Sequence, residues 1–544
     1  MNDFLQQQPN GSNRFVSDRA FRTALERTLE AEMFDRVTPM FHEMGERAIE
    51  ELPRLAERAE SNPPRLVNYD AWGGRVDRLQ VEPAWLELVK IGLESGLVSI
   101  PYGSDAGPHS RIVQFALEHL FIPVSATANC PIAMTDAAVK VLLSQDELLA
   151  QKYVPRLTAH KDAWTSGQWM TEREGGSDVG RTSTRAVNQD GTWRLYGTKW
   201  FTSATTAQVA LALARPEGAP DGSGGLSLFL LELKDAQGLW NGIRVRRLKD
   251  KLGTKALPTA ELELDGAVAI PVGELGGGVR KIAPMLNITR LHCAVGGSAA
   301  IGHGLMLARD YAASREAFGS ELRDLPVHQG WIARIASVYE ATLVQIFRVA
   351  ELLGKMEHGG GGDELVRVLV PLTKLACARQ GVWGTSELIE SFGGAGYVED
   401  TGLPRLLRDA HVQCIWEGTT SVMALDVLRA LARPGAAEAF NEEIESLLRT
   451  YSHPSLDEPV RAVGDALQKL RPSIASADEP EARRVAWGMA RIHQGALLCL
   501  QAGWALDKRA DDRSAIAAQI YASSGLLEPP ALDPKDLARL SFDR

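Results

Sequence analysis

Between about residues 164 and 275 the apolar side chains of this chain come in short alternating runs, whereas on either side they recur at helical spacing. The runs "WRLYGTKWFTS", "QVALALA", "LSLFLLEL" and "TAELELDGAVAI" are separated by turn-rich stretches such as "PEGAPDGSGG" at 216–225. A period of two residues cannot present one continuous face on a helix, so this stretch reads as an antiparallel β unit. Before it, "EPAWLELVKIGLESGLVSI" (82–100) and "SRIVQFALEHLF" (110–121) keep helical spacing. After it, the segments 284–318, 327–357 and 364–392 are long helical patterns, and "EHGGGGDE" (357–364) reads as a hinge between two of them. With the 404–433 region they make a helical bundle. Beyond "RPGAAEA" (433–439) a further helical unit carries Val485, Met489, Ile492, Ala496 and Cys499 as one apolar stripe.

The expected architecture is therefore α+β and mainly α. It comprises an N-terminal helical domain (1–163), a central antiparallel β domain (164–278), a four-helix bundle (279–434) and an extra helical domain (435–544). At 544 residues the chain is too long for one core.

Composition excludes several classes. The formal net charge of −10 gives no general attraction to nucleic acid or an anionic membrane. No run of 18 apolar residues suggests a bilayer span. The start "MNDFLQQQPNGSNRF" has neither basic nor apolar signal regions, and the five cysteines lie far apart with no C-x-x-C pair. Free thiols in a reducing, cytoplasmic compartment are the expectation. No phosphate-binding G-x-x-x-x-G-K-[ST], G-x-S-x-G elbow or metal-spaced histidine cluster occurs, and no metal is expected.

Five stretches remain that could carry chemistry. "MTEREGGSDVG" (170–180) offers the Thr171 and Ser177 hydroxyls and glycines that let backbone N–H groups approach a ligand, although a polar turn between strands has the same composition. "KWFTSA" (199–204) puts aromatics beside Thr202 and Ser203, as a stacking surface with a polar edge or as an ordinary half-buried strand. "REAFGSELRDLPVHQ" (315–329) leaves one helix and enters the next, "ESFGGAGYVED" (390–400) is a Gly-rich helix stop, and "IWEGTTSVM" (415–423) sets a lone carboxylate, Glu417, between a Trp and a Gly.

Taken together and in this order, the five resemble the acyl-CoA dehydrogenase family of flavoproteins. The likeness covers roughly 110–433. "NPPRLVNYDAWGGRVDRL" (62–79), "RLKDKLG" (247–253) and "IWEGTTSVMALDVLR" (415–429) are most similar to its AidB branch of alkylation-response relatives, of which the extra C-terminal unit is also expected. The resemblance implies a noncovalent FAD. Met170, Thr171, Ser177, Phe201, Thr202 and Ser203 match flavin-side positions, as do Thr419 and Ser421. Arg315, Phe318, Gln329, Gly393 and Gly394 match those holding the adenine–pyrophosphate half across a subunit interface, which implies a homo-oligomer, usually a tetramer. Glu417 matches the catalytic base for α,β-dehydrogenation of an acyl-CoA. Ser177, Arg290 and Gly418 match substrate contacts, and an electron-transfer flavoprotein is the implied acceptor. Some relatives carry the base just before the Arg of "ITRL", where Thr289 stands here.

The chain departs from the family pattern at Arg173, Lys255, Leu257 and Ser421, and Arg429 is a branch feature. These departures bear on turnover. The branch also suggests two other readings, a DNA-associated stress flavoprotein and an acyl-CoA sequestering module. Residues 435–544 hold 13 basic and 17 acidic residues, which disfavours DNA. Arg483, Arg484 and Arg491 are the candidates for a local basic face, and "RVRRLKDKLGTK" (244–255) is a second basic stretch that fits the outer face of a hairpin.

Overall fold

The computed structural model describes residues 7–476, 478–529 and 541. The expectations for the first six residues and for the end of the 435–544 unit lie outside them. The chain gathers into two compact units. One comprises the described residues up to Gly45, Gly107–His119 and the chain from Cys293 onward; the other comprises Glu46–Ala106 and Leu120–His292.

The second unit holds the β structure. Seven strands, Ser166–Trp169, Arg185–Gln189, Thr192–Ser203, Val209–Pro216, Ser227–Glu232, Ile243–Leu248 and Thr259–Pro271, form one sheet. Val209–Pro216 pairs with Ser227–Glu232, which pairs in turn with Thr259–Pro271, so the ladder closes on itself. "VALALA" and "SLFLLE" are buried nearly throughout, as strands covered on both faces must be. The sheet is mixed, not purely antiparallel. Ser166–Trp169 and Arg185–Gln189 both run parallel to Val209–Pro216. Alternation reports which face a residue takes but not the direction of its neighbour strand. The N-terminal region also contains a hairpin that helical spacing did not reveal, Arg65–Tyr69 with Arg75–Gln80. Its Asp77 carboxylate accepts from the Val245 N–H (2.9 Å), and Asn68 donates to the Val245 carbonyl (2.9 Å). That ties it to the strand Ile243–Leu248.

The first unit is helical. Pro326–Glu357 and Asp363–Glu390 are its long helices, and three glycines of the connection, Gly359, Gly361 and Gly362, take positive φ. Ala283–Ser314 crosses Asp363–Glu390 closely, because a Cβ on Gly381 would lie 2.7 Å from the Gly297 Cα. Among the described residues Ala283–Ser314 is the one helix apolar and long enough to cross a membrane, and 83% of that apolar window is buried within the protein.

The C-terminal helices Ala436–Arg449, Asp457–Ser476, Ala482–Arg509 and Arg513–Ser523 belong to the same unit as the long helices. The stripe Val485, Met489, Ile492, Ala496 and Cys499 is buried, and so are His493, Gln494 and Gln501 on other sides of that helix. Gln494 bonds Gln345 (2.8 Å) and Gln380 (2.8 Å), and the His493 ring meets Gln345 (3.2 Å). Burial pushes Glu443 up, but His493 and Arg348 outweigh it and hold the carboxyl down at about 2. A buried polar network thus joins regions that composition alone separated at residue 435.

Candidate active site

On the β unit, the candidate residues sit where the strand ending at Trp169 passes into the 170–180 loop and where Thr192–Ser203 ends. The Trp200 N–H donates to the Thr171 carbonyl (3.0 Å), so the two stretches are adjacent. Met170 is buried, Thr171 half-buried, Ser177 exposed, and the Phe201 ring stays 39% exposed at the strand edge. Thr202 points into the sheet. Its side chain is fully buried and donates to the Ala260 carbonyl (2.6 Å), so its hydroxyl is committed to the sheet. The Ser203 hydroxyl lies 3.0 Å from that of Thr259. Arg173, standing where the family has Pro, is exposed, its guanidinium 5.9 Å from the Trp200 ring centroid.

Beneath them lies a group that the motif reading passed over. Glu172 and Lys199 have fully buried side chains and pair at 2.6 Å. Glu172 also accepts from the Ser183 N–H (2.6 Å) and from the hydroxyls of Ser183 (2.8 Å) and Thr184 (2.5 Å). Lys199 donates further to the Leu213 carbonyl (2.8 Å). Burial pushes Glu172 up, but the Lys199 charge and the surrounding donors outweigh it and hold the carboxyl below the usual carboxylate range. The signal was present in sequence as a lysine at an inward position of an alternating strand.

On the helical unit, "IWEGTTSVM" forms the turn between Leu403–Gln413 and Thr420–Leu431. Glu417 takes φ +57, a left-handed conformation that costs a non-glycine residue about 1–3 kcal/mol and persists only where the surroundings enforce it. Gly418 follows at φ +108, with the Met423 Cε 2.5 Å from where a Cβ would be. Thr419 is the N-cap of the next helix, its hydroxyl accepting from the Val422 N–H (3.4 Å). Trp416 and Glu417 are half-buried, and Thr419 and Ser421 are exposed. Thr289, at the alternative base position, is a buried hydroxyl bonding the Met285 carbonyl of its own helix (3.2 Å). Arg290 beside it is buried, with 7% exposure.

Arg315 is exposed and leads into the two-residue strands Glu316–Ala317 and Ser320–Glu321, with Phe318 at their turn 98% exposed. Gln329, also exposed, donates to the Arg323 carbonyl (2.7 Å). Gly393 and Gly394 follow the helix Asp363–Glu390, are exposed, and have open space at their Cβ positions. Within the helical unit, the open Gly393 and Gly394, where a pyrophosphate needs close backbone approach, the exposed Phe318 ring and the Thr419 hydroxyl at a helix N-terminus each suit a part of a flavin dinucleotide.

Four family models match the chain. Residues 6–162 match the adaptive response protein AidB N-terminal domain, and 167–267 the acyl-CoA dehydrogenase middle domain. Residues 276–432 match the acyl-CoA dehydrogenase C-terminal domain, and 435–532 the acyl-CoA dehydrogenase 11 C-terminal domain-like model. Acyl-CoA dehydrogenase family member 11 of Caenorhabditis elegans is 43% identical over 91% of this chain and 85% of its own length. The chain belongs to the acyl-CoA dehydrogenase family. It is an FAD-dependent oxidoreductase of that family and is AidB-like. The AidB protein of Escherichia coli (strain K12) is 34% identical over 80% of this chain and 81% of its own. The crystal structure of Caenorhabditis elegans ACDH-11 in complex with C11-CoA matches with a TM-score of 0.95 at 40% identity, covering 100% of this chain and 97% of that one.

Proposed function

We propose that this acyl-CoA dehydrogenase family member catalyses α,β-dehydrogenation of an acyl-CoA thioester with Glu417 as the base. The observation that carries this reading is the Glu417 carboxylate, half-buried in a strained left-handed turn, while Thr289 leaves the alternative base position neutral. The α-proton of a thioester is weakly acidic, so its removal needs an oriented base and stabilisation of charge developing on the carbonyl oxygen. Glu417 takes that proton onto its carboxylate, and Trp416 beside it limits water. A bound FAD would supply the hydride acceptor for the β-hydrogen.

Met170, Thr171, Phe201 and Ser203 would hold the flavin ring, together with Thr419 and Ser421. Arg315, Phe318, Gln329, Gly393 and Gly394 would hold the dinucleotide end of a neighbouring subunit's FAD in a homotetramer. Ser177, Arg290 and Gly418 are assigned to the thioester and its CoA. The C11-CoA held by the Caenorhabditis elegans relative supports an acyl chain of about that size. A cytoplasmic role in fatty acid metabolism, with an electron-transfer flavoprotein as acceptor, completes the reading.

For a DNA-associated role, Arg483 stays exposed, but most of the other basic residues singled out are engaged within the protein. Arg484 pairs with Glu481, and Arg491 donates to Ser524 (2.7 Å) and lies over the Tyr521 ring. In the 244–255 stretch Arg244, Arg246, Arg247 and Lys249 pair with Glu261, Glu263 and Asp265.

An anaerobic titration with acyl-CoAs of increasing chain length, following flavin absorbance, tests the reading. The wild type is expected to bleach over one range of lengths. Glu417→Gln is expected to bind the same thioesters but bleach roughly 10²–10⁴-fold more slowly. Bound thioester without bleaching in the wild type would replace the dehydrogenase with a sequestering module.

A further inference from the structure

We propose that Lys374 is a positioning residue for the Glu417 base, its buried ammonium holding the Gly418 carbonyl and with it the turn that aims the carboxylate. The inference rests on the dehydrogenase reading for its catalytic consequence but not for its geometry. Lys374 stands in the middle of "VLVPLTKLACA", the apolar heart of the helix Asp363–Glu390, and is 1% exposed. A lysine is almost never buried to that degree without a partner that compensates its lost hydration. Here the ammonium donates to the carbonyl oxygen of Gly418.

That carbonyl is well placed to govern Glu417. It follows two successive residues with positive φ, +57 at Glu417 and +108 at Gly418. Such a backbone persists only if something outside the turn enforces it. The Thr419 cap orders the helix that follows, and the lysine constrains the peptide that precedes it. Arg367 lies seven residues, two helical turns, before Lys374 and so projects from the same side of its helix. It makes a two-pronged pair with Asp426 (2.6 and 3.0 Å) on the helix Thr420–Leu431. One face of Asp363–Glu390 therefore grips both the turn and the helix leading out of it.

The test compares Lys374→Met, which keeps length but loses the donor, with Lys374→Gln, which keeps a donor without charge. Three quantities are read on the FAD-loaded protein: amide hydrogen exchange over residues 414–419, exchange of the acyl-CoA α-proton with solvent deuterium, and thioester affinity. Lys374→Met should lose amide protection over 414–419 alone and slow α-proton exchange by roughly 100-fold at saturating thioester, with affinity unchanged. Lys374→Gln should restore α-proton exchange to within about threefold of the wild type. The proposal is overturned if Lys374→Met leaves 414–419 protected, if Lys374→Gln is as impaired as Lys374→Met, or if neither variant folds. A wild type that exchanges no α-proton would instead fail the dehydrogenase reading, and amide protection would still decide the role of Lys374.

Discussion

Two regions carry the candidate site residues and hold them by opposite means. At the sheet end, Thr171, Phe201 and Ser203 sit on regular strand and loop backbone above a buried ion pair, Glu172 with Lys199, in which the carboxylate also accepts from Ser183 and Thr184 and the ammonium also donates to the Leu213 carbonyl. In the helical unit Glu417 sits on irregular backbone with positive φ, and the ammonium of Lys374 donates to the carbonyl of the next residue, Gly418. The first arrangement suits residues that must give a flat surface, since a hydrogen-bonded ladder already fixes their spacing. The second suits a residue that must reach away from its backbone, because only a turn out of the helix frees the carboxylate from the helix surface.

The largest effect expected from breaking this contrast is at the ion pair. Lys199→Met leaves Glu172 buried and unpaired and should cost about 3–5 kcal/mol in denaturant unfolding. Adding Glu172→Gln should recover part of that loss, and a double variant no better than the single one would show that the pair does not act as a unit. Acid should separate the regions next. The folded carboxyl of Glu172 lies below its unfolded value, so the pair stabilises the fold fully above about pH 4.5. That contribution is lost as the pH falls from there through the folded value. The pH-dependent part of the unfolding free energy below that point should shrink in the double variant and stay unchanged in Lys374→Met. The smallest effect is at the cap. Thr419→Ala should cost about 1 kcal/mol by thermal unfolding, because it removes one acceptor from an exposed helix start.

Residues differ in how much of their role could be read before folding. Thr171, Phe201 and Glu417 stood out as candidates because several short motifs had to coincide in order, a condition no single stretch could mimic. The inward turn of the Thr202 hydroxyl to the Ala260 carbonyl had no signal in the strand's own sequence. The hairpin 65–80 escaped notice because its strands have little alternation of burial and depend on the Val245 backbone for their anchor. Lys374 was invisible in its role, since a charge in an apolar helix names no partner.

Hydrophobic period, a local property, determined the succession of helix, β and helix, the long helices of the bundle and the helical nature of the C-terminal region. What only the tertiary structure decided are the contacts between residues far apart in the chain. These are the parallel strand pairings, the union of the 435–529 helices with the long helices through Gln345, Gln380 and Gln494, the Glu172–Lys199 pair, and the lysine beneath the Glu417 turn. Each is a polar or directional interaction whose strength depends on burial and on the exact partner presented. None of the four exists until the chain has closed on itself.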